Sequence, residues 1–270
     1  MPLDINVELS TIRDRYTNDT SQKTFNCLLY GKSGTGKTYS LRTCRRPILI
    51  HSFDQGGTKG LRDELSAQHA TMFADTRFET EDSKHPTAAA MWDREMDRLT
   101  SLKFFDHIGT YCIDSFTTWV QAVMNHVMAT TPRAPKAIPG IPMISDYQLG
   151  GNMIRDAVKR INSLGCDVIC TGHVAVEKDE ATGGMENALA TYPSLRTVIP
   201  LLFDEIYVAL PQRTSTGTDY RFLTQNDGLY IARTRLGSPD ATNKSRFDKY
   251  EPADFKVLLT KINWPTTDRS

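Results

Sequence analysis

Apolar residues along the chain gather in short dense runs, separated by longer stretches where they recur every three or four positions. Residues 25–30 (FNCLLY), 47–53 (PILIHSF), 108–114 (IGTYCID) and 167–172 (DVICTG) are continuous runs too short for helices. Each predicts a buried strand. A weaker strand is expected at Thr71–Ala74, and Leu201–Leu210 (LLFDEIYVAL) reads as another. Helical spacing is expected at Thr38–Arg46, from about Lys59 to His69, and over Pro86–Leu102 through Ala90, Met91, Met96 and Leu99. Over Ser115–Ala129 it forms a stripe of Trp119, Val120, Val123, Met124 and Val127. Asp146–Leu164 predicts a helix stopped by Gly165, and Pro252–Ile262 a closing one. An amphipathic piece is expected around Ile5–Tyr16. Residues 77–86 and 177–197 are polar and read as loops, the second holding Gly183–Gly184. Four prolines in 130–145 exclude a helix there. Tyr220–Thr224 and Leu229–Thr234 predict a hairpin turning on Asn226–Asp227–Gly228.

Strands alternating with helices predict an α/β fold: a mostly parallel sheet flanked by helices, with an antiparallel hairpin near the C-terminus. No Pro/Gly/Ser-rich linker divides the 270 residues. One domain is expected over 25–264, between an N-terminal extension (1–24) and a short tail (265–270).

Composition changes this picture little. A hydrophobic content of 39% and a charged content of 24% suit a globular protein. Lys+Arg and Asp+Glu both number 32, so the formal net charge is zero. Strong attraction to nucleic acid through global charge is not implied, and any such binding must come from local patches. The five cysteines include no CxxC pair and are expected as reduced, buried thiols in a cytosolic setting. The start, MPLDINVELS, lacks a signal pattern, and no apolar run approaches a membrane span. A cytoplasmic location without membrane contact is the expectation.

The chemistry enters at residues 28–39, LLYGKSGTGKTY. Gly31, Gly36, Lys37 and Thr38 fit GxxxxGK[ST] between a predicted strand and a predicted helix. Glycines there let backbone N–H groups curl around phosphate oxygens, aided by the start of a helix. The cradle runs through Gly31, Lys32, Ser33, Gly34, Thr35, Gly36, Lys37 and Thr38, with Tyr39 beside it. It predicts binding of ATP, with Lys37 on the β- and γ-phosphates and the Thr38 hydroxyl on Mg²⁺.

Such a site needs an acid at the end of a nearby strand, and Asp114 is the candidate metal holder. Capping of the next helix is its alternative use. Asp54 ends the second strand at the same sheet edge, where ligands of open α/β sheets gather. It would orient the attacking water or support the metal; a turn role in DQGG is the alternative. His173, at the end of DVICTG, would sit beside the γ-phosphate and report its presence to the next loop. Arg233 and Arg235 in IARTRLG flank the predicted hairpin. They read either as a finger reaching a neighbouring subunit's γ-phosphate or as a solvated basic edge.

In order, the motifs GKSGTGKT, SFDQGG, YCIDS, VICTGH and RTRLG resemble the RecA-like ATPase core. The chain most closely resembles the compact phage-encoded ATPases of that group, which include single-strand-annealing and recombinase-like proteins. The resemblance covers roughly residues 24–262, as short motifs. It implies that Asp114 is the Walker B acid and that His173 is the γ-phosphate sensor. It also implies that Arg233 and Arg235 match the paired Lys-x-Arg fingers acting across subunits, and hence a homo-oligomer. Where the family usually carries a catalytic Glu, this chain has Asp54–Gln55. Residues 131–146 and 175–197 fall at the family's two DNA-contacting loops, implying single-stranded DNA as a partner in phage recombination or replication. Charge supports this unevenly. Residues 131–146 hold Arg133 and Lys136 against Asp146. Residues 175–197 hold Lys178 and Arg196 against Glu177, Asp179, Glu180 and Glu186. An acidic loop is a poor DNA clamp. The other reading is a nucleotide-dependent switch or adaptor that binds a protein and no DNA.

Overall fold

The computed structural model describes residues 4–132, 138, 140–178, 185–215, 217–239, 242 and 244–269. Helix α1 (Ile5–Asn18) opens it, its first turn capped by the Asp4 side chain accepting from the Asn6 N–H. Strand β1 (Asn26–Tyr30) leads through the glycine-rich loop into α2 (Lys37–Ser40). There follow β2 (Ile48–Ser52), α3 (Arg62–Leu65), β3 (Met72–Asp75), α4 (Ala88–Ser101), β4 (Thr110–Asp114) and α5 (Phe116–Thr130). Next come α6 (Ile144–Asn162), β5 (Asp167–Gly172), β6 (Val174–Lys178), β7 (Met185–Leu189) and α7 (Pro193–Arg196). Strands β8 (Glu205–Thr214), β9 (Gly217–Leu223) and β10 (Tyr250–Pro252), then α8 (Phe255–Lys261), complete the chain.

Eight strands form one sheet in the order β10-β9-β8-β1-β5-β4-β2-β3. The six from β8 to β3 in that order are parallel, and β9 and β10 are antiparallel. The result is a mostly parallel sheet flanked by helices and finished by an antiparallel hairpin. Strands β1, β2, β4 and β5 are buried throughout, which is why they read as unbroken apolar runs. Their side chains alternate between two cores. Leu28, Tyr30, Tyr111, Ile113 and Val168 face Trp119 of α5 and Ile154 and Val158 of α6. Cys27, Leu29, Ile48, Ile50 and Cys112 face Leu41 and the α8 residues Phe255 and Leu258. All five cysteines are free and buried.

Several elements differ from the sequence reading. The helix expected over Thr38–Arg46 is the single turn α2 followed by a 3-10 turn, Leu41–Thr43. Cys44 is already extended, so that Arg45 reaches the buried Asp167 with two contacts of 2.5 and 2.6 Å. Arg46 precedes a proline and is steered away from helix. The helix from Lys59 to His69 shrinks to a 3-10 turn (Gly57–Leu61) and α3, as two glycines in that turn weaken helix formation. Gly165 does not stop α6: Ser163 does, in right-handed conformation, its N–H bonding to three carbonyls of the last turn. The stretch 177–197 is not simply a loop, because β6 and β7 pair as an antiparallel hairpin. Gly183 and Gly184 lie outside the described residues, as do Arg133, Lys136, Asp179 and Glu180.

The C-terminal hairpin has other strands than expected. Strand β9 returns along β8, with Thr214 opposite Gly217 and Val208 opposite Leu223. Residues 229–234 do not pair with 220–224; Tyr230 bridges Asn187 and Arg233 bridges Ile206. Asn226–Asp227–Gly228 is still a turn, held by the Asn226 and Asp227 side chains. The strand expected at 220–224 is part of β9, whose partner is β8, while 229–234 forms no strand beyond these two bridges. Alternation alone leaves the register open, since many registers satisfy a period of two. Among the described residues no helix is long and apolar enough to cross a membrane.

Candidate nucleotide site

The carboxyl ends of β1, β2, β4 and β5 meet at one edge of the sheet. A cleft of about 280 Å³ opens there, lined by Ser33, Gly34, Gly36, Lys37, Thr38 and Tyr39. Asp54, Gly57, Gly60, Asp114 and His173 complete its lining. The tertiary fold thus gathers five candidates (Lys37, Thr38, Asp54, Asp114 and His173) from four strand ends.

The loop's shape follows from its glycines. Gly36 has φ +81°, a left-handed conformation costly for other residues, and a Cβ there would lie 2.9 Å from the Tyr220 ring. A Cβ on Gly31 would lie 2.7 Å from the Ala209 carbonyl oxygen. Thr35 ties the loop internally, its hydroxyl donating to the Lys32 carbonyl at 2.9 Å. The Lys37 ammonium folds back on the loop, donating to the carbonyls of Gly31 (2.9 Å) and Lys32 (2.8 Å). Burial lowers its pKa, opposed by the charges of Asp114 and Asp54. Helix α2 is so short that its dipole adds little, so an anion held here would rest on the loop's own N–H groups.

Thr38 and Asp114 meet directly: the hydroxyl donates to Asp114 Oδ2 at 2.8 Å. The other oxygen, Oδ1, accepts from the Thr171 hydroxyl on β5. Asp114 is only 2% exposed, and burial pushes its carboxyl above the usual range despite the Thr171 and Thr38 hydrogen bonds. Helix capping falls to the next residue, whose Ser115 side chain accepts from the Thr118 N–H. Asp114 is therefore free of that duty and points at the loop hydroxyl.

Asp54 holds a second network. His173 Nε2 stands 2.9 Å from Asp54 Oδ2, and the Ser115 hydroxyl donates to Oδ1 at 2.8 Å. The Thr118 hydroxyl donates to the same Oδ1. Burial works to raise the Asp54 carboxyl, but the bonds from His173, Thr118 and Ser115 together hold it below its ordinary value. Phe53 and Asp54 both direct their N–H groups at the Asp114 carbonyl, at 2.6 and 3.3 Å. The His173 N–H donates to Thr117 on α5, and its carbonyl accepts from Ala190, just past β7.

The two arginines lie elsewhere. Arg235 pairs with Asp204 at 2.8 Å, and its N–H donates to Glu205 at the first residue of β8. Glu205 is level with Cys27, at the opposite end of β1 from the loop. Arg235 is thus remote from its own chain's cleft. The Arg233 guanidinium donates to the carbonyls of Pro200 and Phe203.

Sequence reasoning missed Thr171, Ser115, Thr118 and Tyr220. Hydroxyl residues beside strand ends are too common to single out, although Ser115 directly follows the acid. Tyr220 belongs to a strand whose partner was misassigned. With Tyr39, Arg42 and Thr43 it borders a second cleft of about 230 Å³ that shares Gly36 with the first. The Arg42 guanidinium stands 4.4 Å over the Tyr39 ring.

A bare-backbone loop, an enclosed lysine, and a hydroxyl meeting a buried acid at the ends of parallel strands define a P-loop nucleotide-binding domain. The family model described as AAA domain (AAA_24) matches residues 23–236. The chain belongs to that family. Among solved structures it is similar to a KaiC-like protein from the hyperthermophilic archaeon Pyrococcus horikoshii OT3, with 11% identity and a TM-score of 0.42. It is also similar to the flagellar accessory protein FlaH from Methanocaldococcus jannaschii, with 11% identity and a TM-score of 0.38. Each likeness covers 78% of this chain and 83% of the other. No curated protein matches significantly.

Proposed function

We propose that this chain binds ATP with Mg²⁺ and hydrolyses it to ADP and phosphate. The observation that carries the reading is the Thr38–Asp114 contact within the cleft that also holds Lys37, Asp54 and His173. The loop N–H groups from Gly31 to Thr38 would wrap the phosphates, and Lys37 would exchange its two carbonyl partners for phosphate oxygens. The donors fit magnesium: one hydroxyl and one carboxylate oxygen are hard ligands, and Mg²⁺ commonly takes one or two protein oxygens beside phosphates and water. When bound, the ion would neutralise charge on the β- and γ-phosphates. Thr38 would ligate it and Asp114 would hold it, directly or through water.

Asp54 is ionised and fixed at the rim of the cleft, so it is suited to accept the proton of a water attacking the γ-phosphorus. The bond to the ADP oxygen then breaks, and His173 keeps Asp54 in place. Because His173 starts the segment leading into β6 and β7, a change in its bond to Asp54 would be felt by that hairpin. The cleft beside Tyr39 and Tyr220 offers aromatic faces for the nucleobase.

The further proposal is that the chain works as a homo-oligomer on single-stranded DNA, as in the phage recombination ATPases it resembles. Arg235 supports assembly, being half exposed and far from its own cleft. The second reading, a nucleotide switch that binds a protein partner, is favoured by one observation: Asp54 is already engaged by three side-chain donors, which slows any proton transfer through it. Turnover of MgATP with and without single-stranded DNA, for wild type and Lys37→Ala, tests both. DNA-stimulated turnover abolished by Lys37→Ala supports the first. Binding without turnover, indifferent to DNA, selects the second.

A further inference from the structure

Asp54 reaches the cleft on a loop that is held from behind by a carboxylate outside the cleft. Glu79 lies in a 3-10 turn, Arg77–Thr80, after β3. Its Oε1 accepts from the Ser52 hydroxyl at 2.7 Å, and its Oε2 accepts from the Gly56 N–H at 2.8 Å. Ser52 and Gly56 bracket Asp54 symmetrically, so the two bonds span the loop that carries it. Ser52 is also the register partner of Asp114. The clamp therefore ties both acids of the cleft to one frame.

The turn that presents Glu79 is itself anchored. Phe78 is buried and stacks on Phe53, with ring centroids 5.1 Å apart and planes 16° from parallel. Arg77 pairs with Asp75 at 2.5 Å and with Glu95 of α4 at 3.6 Å. Capping one loop N–H would need only a single acceptor or a water. A carboxylate spending both oxygens on either side of Asp54 does more: it fixes the loop's span.

We propose that Glu79 is a positioning residue for hydrolysis, holding Asp54 at the phosphate end of the cleft through Ser52 and Gly56. The inference rests on the hydrolytic reading above. Misplacement of a reacting group by about 1 Å costs up to about a hundredfold in rate while leaving ground-state binding intact. Glutamine has one acceptor oxygen where glutamate has two, so it satisfies one of the two donors.

The test measures kcat and KM for MgATP, affinity for a fluorescent ADP analogue, and Tm. It uses wild type, Glu79→Gln, Glu79→Ala, Ser52→Ala and the double variant Ser52→Ala/Glu79→Ala. Glu79→Ala is expected to lower kcat about 10- to 100-fold with ADP affinity held within about twofold. Glu79→Gln should fall between it and wild type. The double variant should be no slower than Glu79→Ala, because both changes cut the same clamp. The proposal is overturned if Glu79→Ala keeps wild-type kcat, or if ADP affinity falls in step with kcat. Should Glu79→Ala fail to fold, Ser52→Ala and Glu79→Gln decide by the same split. A wild type that binds ADP but never turns over ATP instead removes the hydrolytic reading on which the inference stands.

Discussion

The Thr38 hydroxyl and Asp114 Oδ2 lie 2.8 Å apart, joining residues separated by 76 positions in sequence. The contact places a buried acid of the cleft against the glycine-rich loop, with burial holding its carboxyl above the ordinary range. A cation would relieve that buried charge. Asp114→Asn is therefore expected to have opposite effects on stability and function. Without nucleotide the variant should melt no lower than wild type, because a desolvated charge is gone. Its Mg²⁺-dependent ATP affinity should drop by about tenfold or more. Calorimetry with and without Mg²⁺, beside a melting curve, reads both; equal Mg²⁺ enhancement in the variant would remove the metal role.

Lys37→Ala deletes an ammonium that already sits in the loop on two carbonyl oxygens. Hydrogen bonds to charged partners contribute about 1.5–3 kcal/mol, so ATP affinity is expected to fall by about 10- to 100-fold. The fold should persist, since the lysine's two partners are backbone carbonyls of a single loop and it carries no ion pair of the core among the described residues. Equilibrium binding and circular dichroism check the two halves.

Asp54→Asn should separate binding from chemistry. ADP affinity is expected to stay near wild type, while kcat falls by about 10²- to 10⁴-fold. Asp54 is held below its ordinary value of 3.8, so it stays ionised at neutral and mildly acidic pH. The pH–rate profile should accordingly show no acid limb from this carboxylate above about pH 4. Wild-type kcat in Asp54→Asn would remove the proton-accepting role from this carboxylate.

Stability in mild acid should depend on His51. It is 1% exposed, its Nδ1 lies 2.9 Å from the Tyr111 hydroxyl, and burial lowers its pKa from 6.5 to about 4. The unfolded chain binds this proton below pH 6.5 and the folded one only near pH 4, so stability is lost as pH falls through that window. The full shift corresponds to about 3 kcal/mol. Asp114, Asp167 and Glu205 have raised values and act in the opposite sense, so the comparison must be made against His51→Gln. That variant should show a flatter profile of Tm between about pH 6.5 and 4; an unchanged slope would place the acid sensitivity elsewhere.

The Arg45–Asp167 pair is almost fully enclosed, with side chains 6% and 4% exposed, and Asp167 also accepts from the Phe25 N–H. Removing one partner leaves a buried charge alone. Arg45→Met is expected to cost about 3–5 kcal/mol, seen in the denaturation midpoint. Pairing it with Asp167→Asn should return much of that loss, because the amide oxygen still accepts from Phe25. If the double variant is no better than the single, the pair is not the source of the cost.

Some of this molecule was legible in the order of its residues. The strands buried on both faces announced themselves as apolar runs, and the glycine-rich turn between strand and helix fixed the place of the phosphate cradle. Asp114, Asp54 and His173 could be proposed because each ends such a run. The β6–β7 pairing was not legible, since polar, half-exposed strands carry little periodic contrast. The partner of β9 was not legible either, because alternation defines a face and leaves the register open.

The sequence by itself determined what is local: where the backbone must be bare, where a strand is buried, and which acids stand at strand ends. Only the tertiary structure decided which of those ends come together. It set Asp54 against His173, Asp114 against Thr38 and Thr171, Glu79 behind the Asp54 loop, and Arg235 at the far end of the sheet. The physical reason is that backbone conformation is settled by neighbours within a few residues. Strand order and side-chain partners, by contrast, depend on burying two distant apolar faces at once.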